Sequence, residues 1–195
     1  MNSGMTANAQ RRDRWSSAAV VALTVVALLL GWAVKAAAEG RTSVYEADGM
    51  RIAYPAGWVR ASSDTPVLLQ VEKPVSPART TLSLQRRPVT AETANPLSAV
   101  HQALTLERGR GWTAYRVLNV GPSAAVPGRE ALEVTFAFVE TKANPFLSAA
   151  PVVMLGQEYL FAVDQAVQVV TLTAAEDNFG GAVKDLKSFL RSSPK

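Results

Sequence analysis

Polarity along this chain changes character near residue 38. Before that point Ser16 to Val34 reads SSAAVVALTVVALLLGWAV, nineteen residues without a charge. As a helix rising about 1.5 Å per residue, such a run reaches roughly 28 Å, close to the hydrocarbon thickness of a bilayer. It has no polar face, which argues against a buried core helix. Beyond residue 38 the apolar positions become periodic. Ser43–Glu46 and Met50–Tyr54 flank Asp48-Gly49 and predict a hairpin, with Met50, Ile52 and Tyr54 on one face. Pro55 ends the second strand and Gly57-Trp58 turns the chain. Val67–Glu72 and Thr80–Arg86 predict two more strands, Leu82 and Leu84 pointing inward and Ser83 and Gln85 outward.

The period then switches. Asn95 as N-cap and Pro96 at the first helical position open a helix whose apolar stripe is Leu97, Val100 and Leu104, with Gly109 and Gly111 as its stop. Trp112–Val120 predicts a strand. Arg129–Thr141 is the plainest one, Leu132, Val134, Phe136 and Phe138 alternating against Glu133, Thr135 and Ala137. Glu158–Val163 and Val167–Thr173 form a second hairpin around Asp164-Gln165-Ala166. Phe179, Val183, Leu186, Phe189 and Leu190 predict a terminal helix, capped by Asp177 or Asn178 and ended by Ser192-Ser193-Pro194. Alternating strands with two amphipathic helices predict an α+β fold: a central antiparallel sheet with helices packed on it, behind one N-terminal transmembrane helix.

The charges around the apolar run orient it. Arg11, Arg12 and Arg14 precede it and only Lys35 follows closely, so the positive-inside bias puts the N-terminus in the cytoplasm and the domain on the extracytoplasmic side. Trp15 and Trp32 fall near the two interfaces. Ala36-Ala37-Ala38 before Glu39 also fits a signal-peptidase site, but the apolar run exceeds the usual length of a signal-peptide core and favours a retained anchor. The expected organisation is a cytoplasmic basic tail (1–15), a signal-anchor (16–34), a linker (35–42) and one extracytoplasmic domain (43–192). The lipid bilayer is thus the first expected partner.

Charge and chemistry narrow the function classes. The chain has 20 basic and 16 acidic residues, of which four bases and one acid precede residue 38. The remainder is nearly neutral and has no surplus from which to build a large phosphate-binding face, so nucleic acid is not an expected partner. There is no cysteine, which removes disulfides, thiolate metal sites and lipid attachment at a Cys. The single histidine, His101, lies off the helical stripe and fits a surface position; one His without clustered carboxylates predicts no metal site. No G-x-S-x-G, H-E-x-x-H or phosphate-binding loop occurs, and no catalytic residue or cofactor is expected. Glu130 and Glu133 are expected on opposite strand faces, and Glu176-Asp177 at a helix start, where anions favour the dipole.

Two features remain as partner-contact candidates. Arg86-Arg87 ends a strand, where it is either a solvated edge or a dock for an acidic partner. Residues 143–151 read ANPFLSAAP, apolar where a loop is usually polar and stiffened by Pro145 and Pro151. Phe146 and Leu147 at its middle, with Pro145, either fold back on the core or contact a partner or the membrane surface.

The opening Tyr45…Met50-Arg51-Ile52-Ala53-Tyr54-Pro55-Ala56-Gly57-Trp58 resembles the start of the PsbP-like family. So do Gly128-Arg129 leading into the alternating strand, Gly156-Gln157-Glu158-Tyr159, Val169–Ala174, and a last helix closing on Ser188-Phe189-Leu190. The resemblance covers roughly 43–192. It implies an α-β-α sandwich and a non-enzymatic, accessory or assembly role at a larger membrane protein complex; a peptide span stands where bacterial members often carry a lipidated Cys. The alternative is an extracytoplasmic domain binding a small molecule or lipid in a cleft between sheet and helix.

Overall fold

The computed structural model describes residues 4–39, 42–47, 50–55, 57–62, 67–75, 78–90, 92–126, 128–141 and 151–192. They fall into two compact units, Met1–Arg41 and Thr42–Lys195.

The first unit is one helix, α1 (Gly4–Glu39), longer at both ends than the apolar run alone indicates. Its Ala19–Ala37 window has mean hydropathy 2.2 and no buried residue, and among the described residues it is the helix long and apolar enough to cross a membrane. The one hydroxyl inside that window is satisfied within the helix, Thr24 Oγ1 donating to the Val20 carbonyl at 2.9 Å.

The second unit is built on sheets. Strands β1 (Thr42–Ala47) and β2 (Met50–Pro55) pair as the hairpin expected from Asp48-Gly49, the turn residues themselves lying outside the described residues. The other strands are β3 (Val59–Arg60), β4 (Leu69–Lys73), β5 (Thr80–Pro88), β6 (Thr113–Ser123), β7 (Ala131–Glu140), β8 (Val152–Val163) and β9 (Ala166–Ala175). They make one antiparallel sheet of order β3-β4-β5-β9-β8-β7-β6. Helix α2 (Pro96–Gly111) lies against β6, β7, β8 and β9; α3 (Glu176–Ser192) lies against β5, β8, β9 and β2.

Two cores follow from the period of two. On the α3 side, Leu69, Val71, Leu82, Leu84, Tyr159, Phe161, Val170 and Leu172 meet Leu186, Phe189 and Leu190. On the α2 side, Val134, Phe136, Phe138, Leu160, Val167 and Val169 meet Val100 and Leu104. Central strands β8 and β9 are apolar on both faces because both are covered. That gives the expected α-β-α layering.

Several boundaries differ from the sequence reading. Strand β8 begins at Val152, six residues before Glu158, and pairs along β7 from Ala131↔Phe161 to Glu140↔Val152. Its early half contains Gly156. A Cβ there would run into the Phe136 ring, so glycine is required by packing. Helix α2 begins as expected, with Asn95 Oδ1 accepting from the Ser98 N–H at 3.1 Å, but runs through Gly109 to Gly111. A single helical glycine costs about 1 kcal/mol, which tertiary contacts of the adjacent turn can offset. Helix α3 starts directly after β9, so Asp177 and Asn178 sit inside its first turn instead of capping it.

Candidate functional site

Helix α2 covers only part of its side of the sheet. Strands β4 and β5 send Leu69, Val71, Leu82 and Leu84 to the α3 core, so Gln70, Thr81, Ser83 and Gln85 must point the other way. There they meet no helix. With Thr171 and Thr173 of β9 they floor an open cleft of about 530 Å³, walled by Leu104 and Trp112 and by Phe138 of β7. Ser83 and Gln85, expected to face outward, are half-buried on this floor.

The floor is a continuous polar row. Gln70 is opposite Ser83, Ser83 opposite Thr171, and Thr171 opposite Glu158 on β8. Directly paired positions bring side chains within interaction distance. The row therefore runs from β4, one strand in from the edge of the sheet, to a fully buried carboxylate beneath α2.

That carboxylate is matched from the helix. Arg108 follows Leu104 by four residues, so its side chain descends on the same stripe as Val100 and Leu104. Arg108 Nη2 donates to Glu158 Oε2, which also accepts from Thr171 Oγ1 at 2.7 Å. The guanidinium lies 4.8 Å from the Phe136 ring centre and 5.2 Å from that of Trp112, a cation–π arrangement on both. Burial works against the charged form of Arg108, but the charge and hydrogen bond of Glu158 outweigh it, and the Arg108 pKa rises above its ordinary value. The Arg108 guanidinium is thus held charged in a nearly dry place. Glu158 Oε1 has no partner among the described residues. Because Glu158 is sealed from solvent and held by Arg108, it orients Arg108 and Thr171 toward the cleft.

His101, one to two turns before Arg108, is half-buried instead of lying on the surface. Burial lowers its pKa; Glu158 pulls it up, Arg108 pushes it down, and the net position is below the ordinary imidazole value. A second polar cluster lies on the opposite face. Glu133 accepts from Ser123 Oγ at 2.9 Å and from Gln157 Nε2 at 2.7 Å, while the same Gln157 nitrogen donates to Tyr159 Oη at 2.9 Å. Burial, then the Glu133 charge, raises the Tyr159 pKa. Glu130 precedes β7, so it and Glu133 do not lie on opposite faces of one strand as expected.

The two arginines proposed as contacts diverge. Arg87 lines the cleft rim and pairs with Glu107 at 3.0 Å; Arg86, on the α3 side of β5, approaches Asp164 at 3.7 Å. They belong to different faces of the sheet and cannot form one patch. Pro145, Phe146 and Leu147 lie outside the described residues. The strands they join end in an exposed apolar corner: Val139 faces Val153 and Ala137 faces Leu155 across β7–β8, with Val153 48% exposed and the other three half-buried.

Sequence reasoning missed both Arg108 and Glu158. The signal was present as a cation continuing the Val100–Leu104 stripe and an acid sharing strand parity with Met154 and Leu160. Fifty residues separate the two in the chain.

No family model and no curated protein sequence matches the chain. Solved structures do. Cyanobacterial PsbP from Synechocystis superposes with a TM-score of 0.52 at 14% identity, over 78% of this chain and 90% of that one. A Pseudomonas aeruginosa protein of unknown function gives 0.50 at 14% identity, over 80% and 98%. The Ran-binding protein Mog1p of Saccharomyces cerevisiae gives 0.50 at 12% identity, over 79% and 95%. What this chain shares with them is the fold, the PsbP/Mog1-type α+β sandwich.

Proposed function

We propose that this protein is a non-enzymatic accessory factor, tethered in a membrane by α1, whose extracytoplasmic domain docks to a larger membrane protein complex. The observation that carries the reading is the apolar corner of β7–β8, where Val153 is 48% exposed beside half-buried Val139, Ala137 and Leu155. Exposed apolar surface of this kind marks contact sites. Pro145, Phe146 and Leu147, which lie between these two strands in the sequence, are taken as part of the contact. Arg86, 43% exposed and only loosely paired, is taken as a further contact for an acidic partner. The exposed apolar length of α1 supports the tether, and the flanking arginines support a cytoplasmic N-terminus. Mog1p, with the same fold, is a Ran-binding protein, which supports protein docking as a use of this architecture.

The test is affinity capture of the full-length protein, C-terminally tagged, from its own membranes in mild detergent. Wild type is expected to migrate with one defined complex at fixed ratio. Val153→Glu and deletion of 145–150 are expected to release it with unchanged unfolding midpoints, since Val153 is exposed. Migration of wild type alone, or retention of both variants in the complex, would refute the docking reading.

A further inference from the structure

We propose that the cleft beside α2 is a binding site for a neutral, hydroxyl-rich ligand of the saccharide class. Charge narrows the ligand first. The two guanidinium groups reaching the cleft are each held by a carboxylate, Arg87 by Glu107 at 3.0 Å and Arg108 by buried Glu158, and the remaining acid on the lining, Glu140, is itself engaged. A compensated site offers little to a phosphate or carboxylate, which seeks unpaired cations, and little to a cation.

Donor geometry comes next. Thr81 is opposite Thr173 and Ser83 opposite Thr171, which places four hydroxyls in a two-by-two array at the centre of the floor. Gln70 and Gln85 add amides on either side. Among the described residues the Thr81, Ser83 and Thr173 hydroxyls make no side-chain hydrogen bond, so their donor and acceptor capacity faces the cleft. Hydroxyls that both donate and accept suit a ligand made of hydroxyls.

The wall supplies the complementary apolar surface. Trp112 and Phe138 sit with ring centres 4.4 Å apart, and Trp112 is half-buried against the cleft. A large apolar ring beside an array of hydroxyls matches the two faces of a sugar ring, one of C–H groups and one rim of O–H groups. The volume falls within the 300–1,000 Å³ usual for small-ligand sites. Glu158 Oε2, which takes both the Arg108 and the Thr171 hydrogen bonds, fixes these two side chains at the inner end of the array.

The experiment uses the full-length protein in a detergent without a sugar headgroup, titrated with maltose, cellobiose and diacetylchitobiose while tryptophan emission is followed. At least one of the three is expected to give a saturable change below about 10 mM. Trp112→Phe should abolish the spectral change, identifying which tryptophan reports. The Thr81→Val/Ser83→Ala double variant, altered only on the half-buried floor, should weaken affinity by about tenfold, the loss expected for one or two hydrogen bonds. If Trp112→Phe fails to fold by circular dichroism, the floor variant alone decides. Absence of saturable binding for all three sugars, undiminished affinity in the floor variant, or tighter binding of glucose 6-phosphate than of maltose would each overturn the proposal.

Discussion

Arg108→Met tests how the buried pair is balanced. The substitution keeps the apolar stem that packs beside Trp112 and Phe136 but removes the charge. Glu158, with no solvent exposure, is then left as an uncompensated buried anion that retains only the Thr171 hydroxyl. Breaking a buried pair from one side costs about 3–5 kcal/mol, and the two lost cation–π contacts add roughly 0.5–1 kcal/mol each. Against a domain stability of about 5–15 kcal/mol, this is a large fraction of the total. The double variant Arg108→Met/Glu158→Gln removes both charges and should recover most of the loss, to within about 1–2 kcal/mol of wild type. Urea unfolding of the full-length protein in detergent, followed by tryptophan emission, measures both. In wild type the raised Arg108 pKa places the loss of its pairing contribution above the ordinary arginine range, so no alkaline weakening from this pair is expected below about pH 12. A cost under about 1 kcal/mol for Arg108→Met, or a double variant no more stable than the single, would refute this account of the pair.

Two further outcomes are expected. Gly156→Ala should lower stability by about 1–3 kcal/mol in the same assay, since the fully buried Phe136 ring occupies the space of a Cβ and has no free volume to move into. A midpoint equal to wild type would mean that the ring is not seated on Gly156. The raised Tyr159 pKa means that its neutral form is favoured by folding, so the stability it contributes is complete below about pH 10 and falls as pH rises past that value. Tyr159→Phe should flatten that alkaline slope, and an unchanged slope would assign it to other groups.

Much of this molecule is written locally. The uncharged run from Ser16 to Val34 needs no partner to declare itself, because its helix is apolar on every side. Asn95-Pro96 opens α2 through its own cap hydrogen bond. The alternation of β5 and β7 sorts Leu82 from Ser83 and Phe136 from Thr135 without knowledge of any neighbour. What the period of two leaves open is what stands over each face. Ser83 and Gln85 look like solvent-facing residues until α2 is seen to stop short of β4 and β5, which turns that face into a cleft floor. Gly156 declares no packing role until the Phe136 ring is found lying on it. Arg108 looks like a surface cation near a helix end, and Glu158 like the start of a strand. Only the packing of α2 onto β8 brings them together, across fifty residues, into an environment dry enough for each charge to require the other. Local pattern reports which way a side chain points; desolvation and pairing depend on what arrives from elsewhere in the chain, and the tertiary structure alone determines that.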